Sequence, residues 1–142
     1  MDHDHSGLEI LDRDECLRLL SRVPIGRIVF THQALPAVQP VNFVFDGTDI
    51  VIKTSSASRL ATAATGTIVA FEIDEIDADA QSGWSVVAVG PARHVTAAEE
   101  VRGLDRLPLR TWAPGERDRY ICLRPELVNG RRIPARDLTA PV

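Results

Sequence analysis

The sequence has few of the residues on which several protein classes depend. Its two cysteines, Cys16 and Cys122, are far apart and lack the paired spacing of a zinc ribbon or a disulfide scaffold. Lysine is nearly absent, because 15 of the 16 basic residues are arginine and Lys53 is the exception. No stretch reaches the roughly 18 apolar residues of a membrane span, and the polar, acidic N-terminus lacks a signal-peptide pattern. We therefore expect a cytoplasmic protein with reduced cysteines and no membrane association.

Motifs that carry catalysis on their own are also missing. The sequence has no GxSxG, HExxH, Walker A or GxGxxG segment. His32 and His94 are isolated and are expected to be structural, and the acidic run 72–79 lacks the glycine and glutamate positions of a calcium loop. No metal site is predicted. Either the protein is not an enzyme, or a bound cofactor carries the chemistry.

Length and composition predict one globular domain. The 142 residues are 44% hydrophobic and 25% charged, which is ordinary for a folded protein and not for a disordered one. The net charge of −4 disfavours general nucleic-acid binding. We place the domain at residues 9–133, between a flexible N-terminal tail at 1–8 and a C-terminal tail at 134–142.

Hydrophobic periodicity predicts a mainly β domain with flanking helices. The helices are predicted at 11–20 with Asp12 as the cap, at 59–64, and from the cap Thr96 to about residue 107. Six strands are predicted, at 25–31, 37–45, 49–54, 67–73, 83–95 and 120–124. The acidic run 72–79 is expected to form a loop, and Gly90-Pro91 a bulge or an edge. Sequential hairpins make the sheet antiparallel, and a small barrel would bury its apolar faces.

The strongest local candidate for a site is the hydroxyl-rich segment after the third strand. Hydroxyls and an arginine fork are suitable donors to a phosphate, and this segment holds Thr54, Ser55, Ser58 and Arg59. The simpler alternative is that a serine caps the next helix and Arg59 is a surface residue. Asn42, within an apolar strand, either bonds a planar heterocycle or faces water. Trp112, in a loop, marks either a contact surface or part of the core.

Taken in order, these segments resemble the pyridoxamine 5′-phosphate oxidase-like family of FMN-binding split barrels. The matching segments are 23–28, 36–47, 54–59, 69–74, 83–92 and 130–133. The resemblance implies a six-stranded antiparallel split β-barrel that forms a homodimer with two FMN molecules in the dimer groove. By similarity, the phosphate is held by Thr54, Ser55, Ser58 and Arg59, the isoalloxazine is lined by Val41, Asn42 and Phe43, and the flavin is reached from the other subunit by Trp84, Ser85, Val86 and Trp112.

The function that the resemblance implies is an FMN-dependent oxidoreductase that exchanges electrons with a small-molecule donor and acceptor, its substrate unassigned. Arg131 and Arg132 are the one close basic pair near the C-terminus, so oxidation of the vitamin phosphate itself is not expected. One alternative is a reductase of the same fold that uses the deazaflavin F420, whose acidic tail would need Arg59, Arg131 and Arg132. The other is a non-catalytic module that stores or senses flavin or haem.

Overall fold

The computed structural model describes residues 2–134, and this part of the chain forms nine strands and three short helices. The strands are β1 Glu9–Leu11, β2 Ile25–His32, β3 Leu35–Asn42, β4 Val44–Phe45, β5 Ile50–Thr54, β6 Ile68–Asp77, β7 Ser82–Val95, β8 Arg119–Leu123 and β9 Leu127–Ile133. The helices are α1 Arg13–Leu19, α2 Arg59–Ala63 and α3 Ala98–Leu104. The mainly β class with flanking helices is thereby confirmed. Of the predicted C-terminal tail, residues 135–142 lie outside the described residues.

The predicted number of six strands was wrong. The second predicted strand is divided at Phe43 into β3 and β4, and two further strands, β1 and β9, pair with each other. Strand β1 has only three residues and β9 contains Asn129, Arg131 and Arg132, so neither shows a clear apolar periodicity in the sequence. Their pairing depends on tertiary contacts. The predicted N-terminal tail includes a turn around Asp4, whose carboxylate accepts hydrogen bonds from the Ser6 and Leu8 backbone N–H groups and lies 3.1 Å from Arg131.

All strand pairs are antiparallel, and the sheet curls back on itself. The strand order is β3-β2-β6-β7-β8-β5-β4, with β9 paired to β7 and β1 paired to β9. The first and last strands of this order, β3 and β4, are separated in the chain by Phe43 alone. The two ends of the sheet must therefore meet, as the barrel prediction required.

Strand β7 changes its partner at Gly90-Pro91. Residues 83–89 pair with β9 and residues 92–95 pair with β8, while β6 pairs along the other side. The connection between β8 and β9 runs alongside β7 at this point, where the Arg124 N–H donates to the Pro91 carbonyl at 3.1 Å and the Glu126 N–H to the Val89 carbonyl at 3.0 Å. A Cβ atom on Gly90 would lie 1.7 Å from the Arg124 carbonyl oxygen. Three residues of this connection, 124–126, oppose the two residues Gly90 and Pro91, so the pair faces a β-bulge, one of the two predicted possibilities.

The acidic run is a strand rather than the predicted loop as far as Asp77. Ile73 is fully buried, so the period-two pattern continues, and Glu72 pairs with Val87 of β7. Arg27 lies 3.3 Å from Glu72 and 3.4 Å from Asp74, which offsets the repulsion between the two carboxylates. Burial and the neighbouring Asp74 nevertheless raise the pKa of Glu72 to about 7. Charge alone was therefore a poor signal for a loop here.

The barrel interior contains most of the large apolar side chains. Gly26 leaves room for the ring of Phe71, whose Cζ would lie 2.1 Å from a Cβ added there. Phe71 also meets Phe43 edge to face, with ring centroids 4.8 Å apart. Both cysteines are free and buried.

Two of the predicted helix caps can be compared with the structure. The Asp12 side chain accepts from the Glu15 N–H at 2.8 Å, which confirms the first cap. Helix α3 instead begins after Ala97 and has no side-chain cap, so the prediction of Thr96 was wrong. Within residues 2–134, no helix is both long and apolar enough to cross a bilayer.

The close approach of the Arg124 backbone to Gly90 predicts a large difference between two glycine-to-alanine substitutions. Gly90→Ala forces a methyl group against backbone, and we expect it to lower the free energy of unfolding by about 3 kcal/mol or more. Gly103→Ala is the control, since it adds a methyl group in open space on α3 and should raise stability by roughly 0.5–1 kcal/mol. Guanidinium unfolding followed by circular dichroism measures both. An unchanged Gly90→Ala protein would contradict the close approach.

Candidate functional site

A cleft of about 240 Å³ lies between the end of β3 and the end of β5. Strand β3 supplies one wall through residues 39–42, and the segment after β5 supplies the other. The loop 105–118 adds Thr111, Ala113 and Arg117 at the outside. The cleft brings together five of the residues singled out in the sequence: Val41, Asn42, Thr54, Ser55 and Ser58. Their positions follow from strand pairing, because β3 and β5 are near-neighbours in the closed sheet.

The hydroxyl groups at the inner end of the cleft retain donor capacity. The Thr54 and Ser58 hydroxyl oxygens are 3.0 Å apart, and the Ser58 oxygen also accepts from the Ala61 N–H as the N-cap of α2. One hydroxyl hydrogen suffices for the bond between the two oxygens. The second is then available to a ligand with an acceptor oxygen. The serine cap and the proposed ligand contact are therefore compatible.

Asp118 holds the hydroxyl-rich turn in shape, and sequence reasoning missed it. Its two carboxylate oxygens accept from the Ser56 N–H at 2.8 Å and from the Ser56 hydroxyl at 3.1 Å. These bonds hold the pKa of the Asp118 carboxyl below its usual value. The contact spans 62 residues of chain and depends on the pairing of Thr54 with Arg119 across β5 and β8. No local pattern in the sequence indicates it.

The charged residues that line the cleft are cations. Lys53 and Arg117 line it, and none of its described lining residues is acidic. Elsewhere, arginines such as Arg27, Arg93 and Arg132 are paired with carboxylates. Within residues 2–134, no carboxylate forms an ion pair with Lys53 or Arg117. The Lys53 ammonium group lies 5.0 Å above the Tyr120 ring. An anionic group would find this cleft electrostatically favourable.

Several predicted site residues lie outside the cleft. Phe43, Trp84 and Val86 are buried in the core of the same subunit, and Arg59 is exposed on α2. Trp84 also forms part of the wall of a separate open groove of about 630 Å³, beside Ile76, Arg132 and Ile133.

Ser85 and Trp112 are placed closer to the outer surface. Ser85 is half-buried and, by alternation with Trp84, faces outward from the sheet. Trp112 lies between two lining residues of the cleft, Thr111 and Ala113, and its side chain is 67% exposed. The role of every predicted contact residue stays a prediction.

The two strand histidines differ in their surroundings. His94 bridges α2 and β8, since its Nδ1 accepts from Arg119 at 3.1 Å and its Nε2–H donates to the Ala61 carbonyl at 3.0 Å. Arginine has donors only, which fixes this tautomer. His32 is half-buried at the end of β2. Among residues 2–134, no group of three or more histidine, cysteine or acidic side chains is arranged to hold a metal ion.

Comparisons with known proteins place the chain among close sequence and structural relatives. The family model of pyridoxamine 5′-phosphate oxidase matches residues 12–132. The uncharacterized protein Rv0080 of Mycobacterium tuberculosis is 44% identical over 131 residues, which is 88% of this chain and 85% of the relative. An FAD binding protein of Mycobacterium smegmatis is 32% identical with a TM-score of 0.78, over 87% of this chain and 97% of that one. The conserved protein of unknown function DIP1874 of Corynebacterium diphtheriae is 31% identical with a TM-score of 0.74, over 87% and 96% of the two chains.

Proposed function

The chain belongs to the pyridoxamine 5′-phosphate oxidase family, and on that premise we propose that it is a flavin-dependent oxidoreductase that binds FMN in the cleft between β3 and β5. The observation that carries the proposal is the combination of the Thr54 and Ser58 hydroxyls with Lys53 and Arg117 in a cleft without acidic lining. A phosphate group fits such a donor set.

Different residues of the cleft would contact different parts of a flavin. Thr54, Ser55 and Ser58 donate to the phosphate, and Lys53 and Arg117 balance its charge, with Arg59 as an outer contact beside Ser58. Pro40 and Val41 form an apolar wall for the ring. A bound flavin supplies hydride and electron transfer, so the chain needs no nucleophile of its own. The related Mycobacterium smegmatis protein binds FAD, so FAD is the second flavin to test.

The F420 alternative has less support from the structure. Its acidic tail would need Arg131 and Arg132, but Arg131 is paired with Asp4 at 3.1 Å and Arg132 with Glu15 at 2.9 Å. A module that binds flavin without turnover would use the same cleft. Whether the loaded protein oxidises a reduced nicotinamide separates that alternative from an oxidoreductase.

We further propose that two copies pack through the outer face of the sheet. Five apolar residues on five strands form one row across this face, because each opposes the next in the strand register. The row consists of Val38, Val29, Ala70, Val89 and Leu127. Val38 is 62% exposed and Leu127 66% exposed, which is unfavourable for a sheet left uncovered.

This face is continuous with the cleft. Pro40 and Asn42 alternate with Val38 on the outward side of β3, and both line the cleft. A second copy seated on the apolar row would therefore reach the cleft, where the outward-facing Ser85 and the exposed Trp112 are suited to contact the partner's ligand. Trp84 and Val86 are buried in their own subunit, so they would influence the partner's ligand only through the packing of β7 and not by direct contact.

The flavin proposal predicts selective binding of phosphorylated flavins. Titration of the apoprotein should show binding of FMN or FAD at about one per chain, with riboflavin at least tenfold weaker because it lacks the charged group that the hydroxyls and cations contact. The loaded protein should oxidise a reduced nicotinamide in the presence of an artificial acceptor. Binding without turnover would favour the storage module, and equal affinity for riboflavin and FMN would contradict the phosphate site.

Two arginine substitutions should differ in their effect on this binding. Arg117→Ala removes a cation that lines the cleft and should weaken FMN binding about 10- to 100-fold, the range for a charge-assisted hydrogen bond. Arg59→Ala removes an exposed cation and should weaken it about fivefold or less. Arg18→Ala, on α1, is the control. Equal losses for Arg117→Ala and Arg18→Ala would remove Arg117 from the site.

The packing proposal predicts the mass of the protein in solution. Light scattering should give twice the 15.6 kDa of one chain. Val38→Glu or Leu127→Glu places a charge in the apolar row and should give the single-chain mass. Leu35→Glu is the control, since Leu35 is 68% exposed but lies on the opposite face of β3. A monomeric wild-type protein, or row variants that remain dimeric, would contradict the proposed interface.

A further inference from the structure

The outer wall of the cleft is a loop with little support of its own. Residues 105–118 lack regular secondary structure, yet Thr111, Ala113 and Arg117 all line the cleft. Within residues 2–134, no backbone-to-backbone hydrogen bond joins the segment 108–117 to the rest of the chain. The two ends are fixed by side chains: the Tyr120 hydroxyl donates to Asp105 at 2.6 Å, and Asp118 accepts from Ser56. Leu107 and Leu109 pack against the apolar cluster that includes Leu104 and Tyr120, so it is the part of the loop after Leu109 that needs a further contact to hold its position.

That contact is made by Asn42. Its Oδ1 accepts a hydrogen bond from the backbone N–H of Trp112 at 2.8 Å, and its Nδ2 donates to the Pro24 carbonyl at 3.4 Å. A backbone N–H is only a donor and the proline carbonyl only an acceptor, so the two partners together fix the orientation of the amide. Asn42 thus uses one Nδ2 hydrogen and one Oδ1 lone pair to join two other segments of the chain, and these bonds hold its amide in place.

We propose that Asn42 is a positioning residue: it latches the 108–117 loop through the backbone of Trp112 and thereby builds the wall that presents Arg117 to the cofactor phosphate. The latch itself is a property of the ligand-free protein, and only its effect on binding rests on the proposed function. Asn42 does not need to touch the ligand in this account, which differs from the role that the family resemblance implied for it.

The latch is tested first without ligand, by limited trypsin digestion. Arg110 and Arg117 are trypsin sites within the 108–117 segment, and mass spectrometry identifies their cleavage. Asn42→Ala removes the acceptor and Trp112→Pro removes the donor, so both should speed cleavage at these two sites about five- to tenfold, the effect of losing one hydrogen bond. Trp112→Phe keeps the backbone N–H, and Asn42→Asp keeps an acceptor oxygen, so both should cleave at rates close to the wild type.

FMN titration of the same variants then separates a latch from a direct contact. If Asn42 acts only as a latch, Asn42→Ala and Trp112→Pro weaken FMN binding by similar factors. The double variant then binds FMN no more weakly than either single variant, because both substitutions remove the same hydrogen bond. A direct contact predicts that the two factors multiply, or that Trp112→Pro has no effect. Cleavage unchanged in both Asn42→Ala and Trp112→Pro would overturn the latch. If the wild type binds no FMN, the proposed function fails while the digestion still decides the latch.

Discussion

The close approach of two backbone segments at Gly90 is the constraint on which the remaining structure depends. With no side chain at that position, the connection from β8 to β9 can lie against β7, and β7 pairs with β9 along one half and with β8 along the other. Strand β8 also pairs with β5, which brings Asp118 next to Ser56. The sheet then closes through β4 to β3, which supplies the second wall of the cleft. A backbone contact in the middle of the sheet thus determines the geometry of a cleft formed by other strands.

The cleft differs from the rest of the surface in how its charges are balanced. Arginines on the outer sheet and near the termini face carboxylates, as Arg27 faces Glu72 and Asp74. Lys53 and Arg117 have hydroxyl-bearing neighbours instead, and no carboxylate of residues 2–134 forms an ion pair with either. A protein with a net charge of −4 has enough acids to pair these cations. Their lack of a carboxylate partner is therefore a local property that suits an anionic ligand.

Local patterns in the sequence were sufficient for much of the fold and for half of the candidate site. The hydroxyl-rich segment was predictable because a strand ends at Thr54 and a short helix follows Ser58. The other half depends on pairings between distant residues. Arg117 and Asp118 reach the site through the β5–β8 register, and Asn42 reaches Trp112 across 70 residues. The sequence also did not indicate that the Trp84 side chain points into the core, because apolar residues occupy both faces of β7.

The most direct measurement of the central claim is a crystal structure of the protein grown with FMN. The account predicts the phosphate within hydrogen-bond distance of the Thr54 or Ser58 hydroxyl, with Arg117 beside it and the Asn42–Trp112 bond intact. A phosphate bound elsewhere, such as in the open groove between Trp84 and Arg132, with the cleft between β3 and β5 empty, would contradict it.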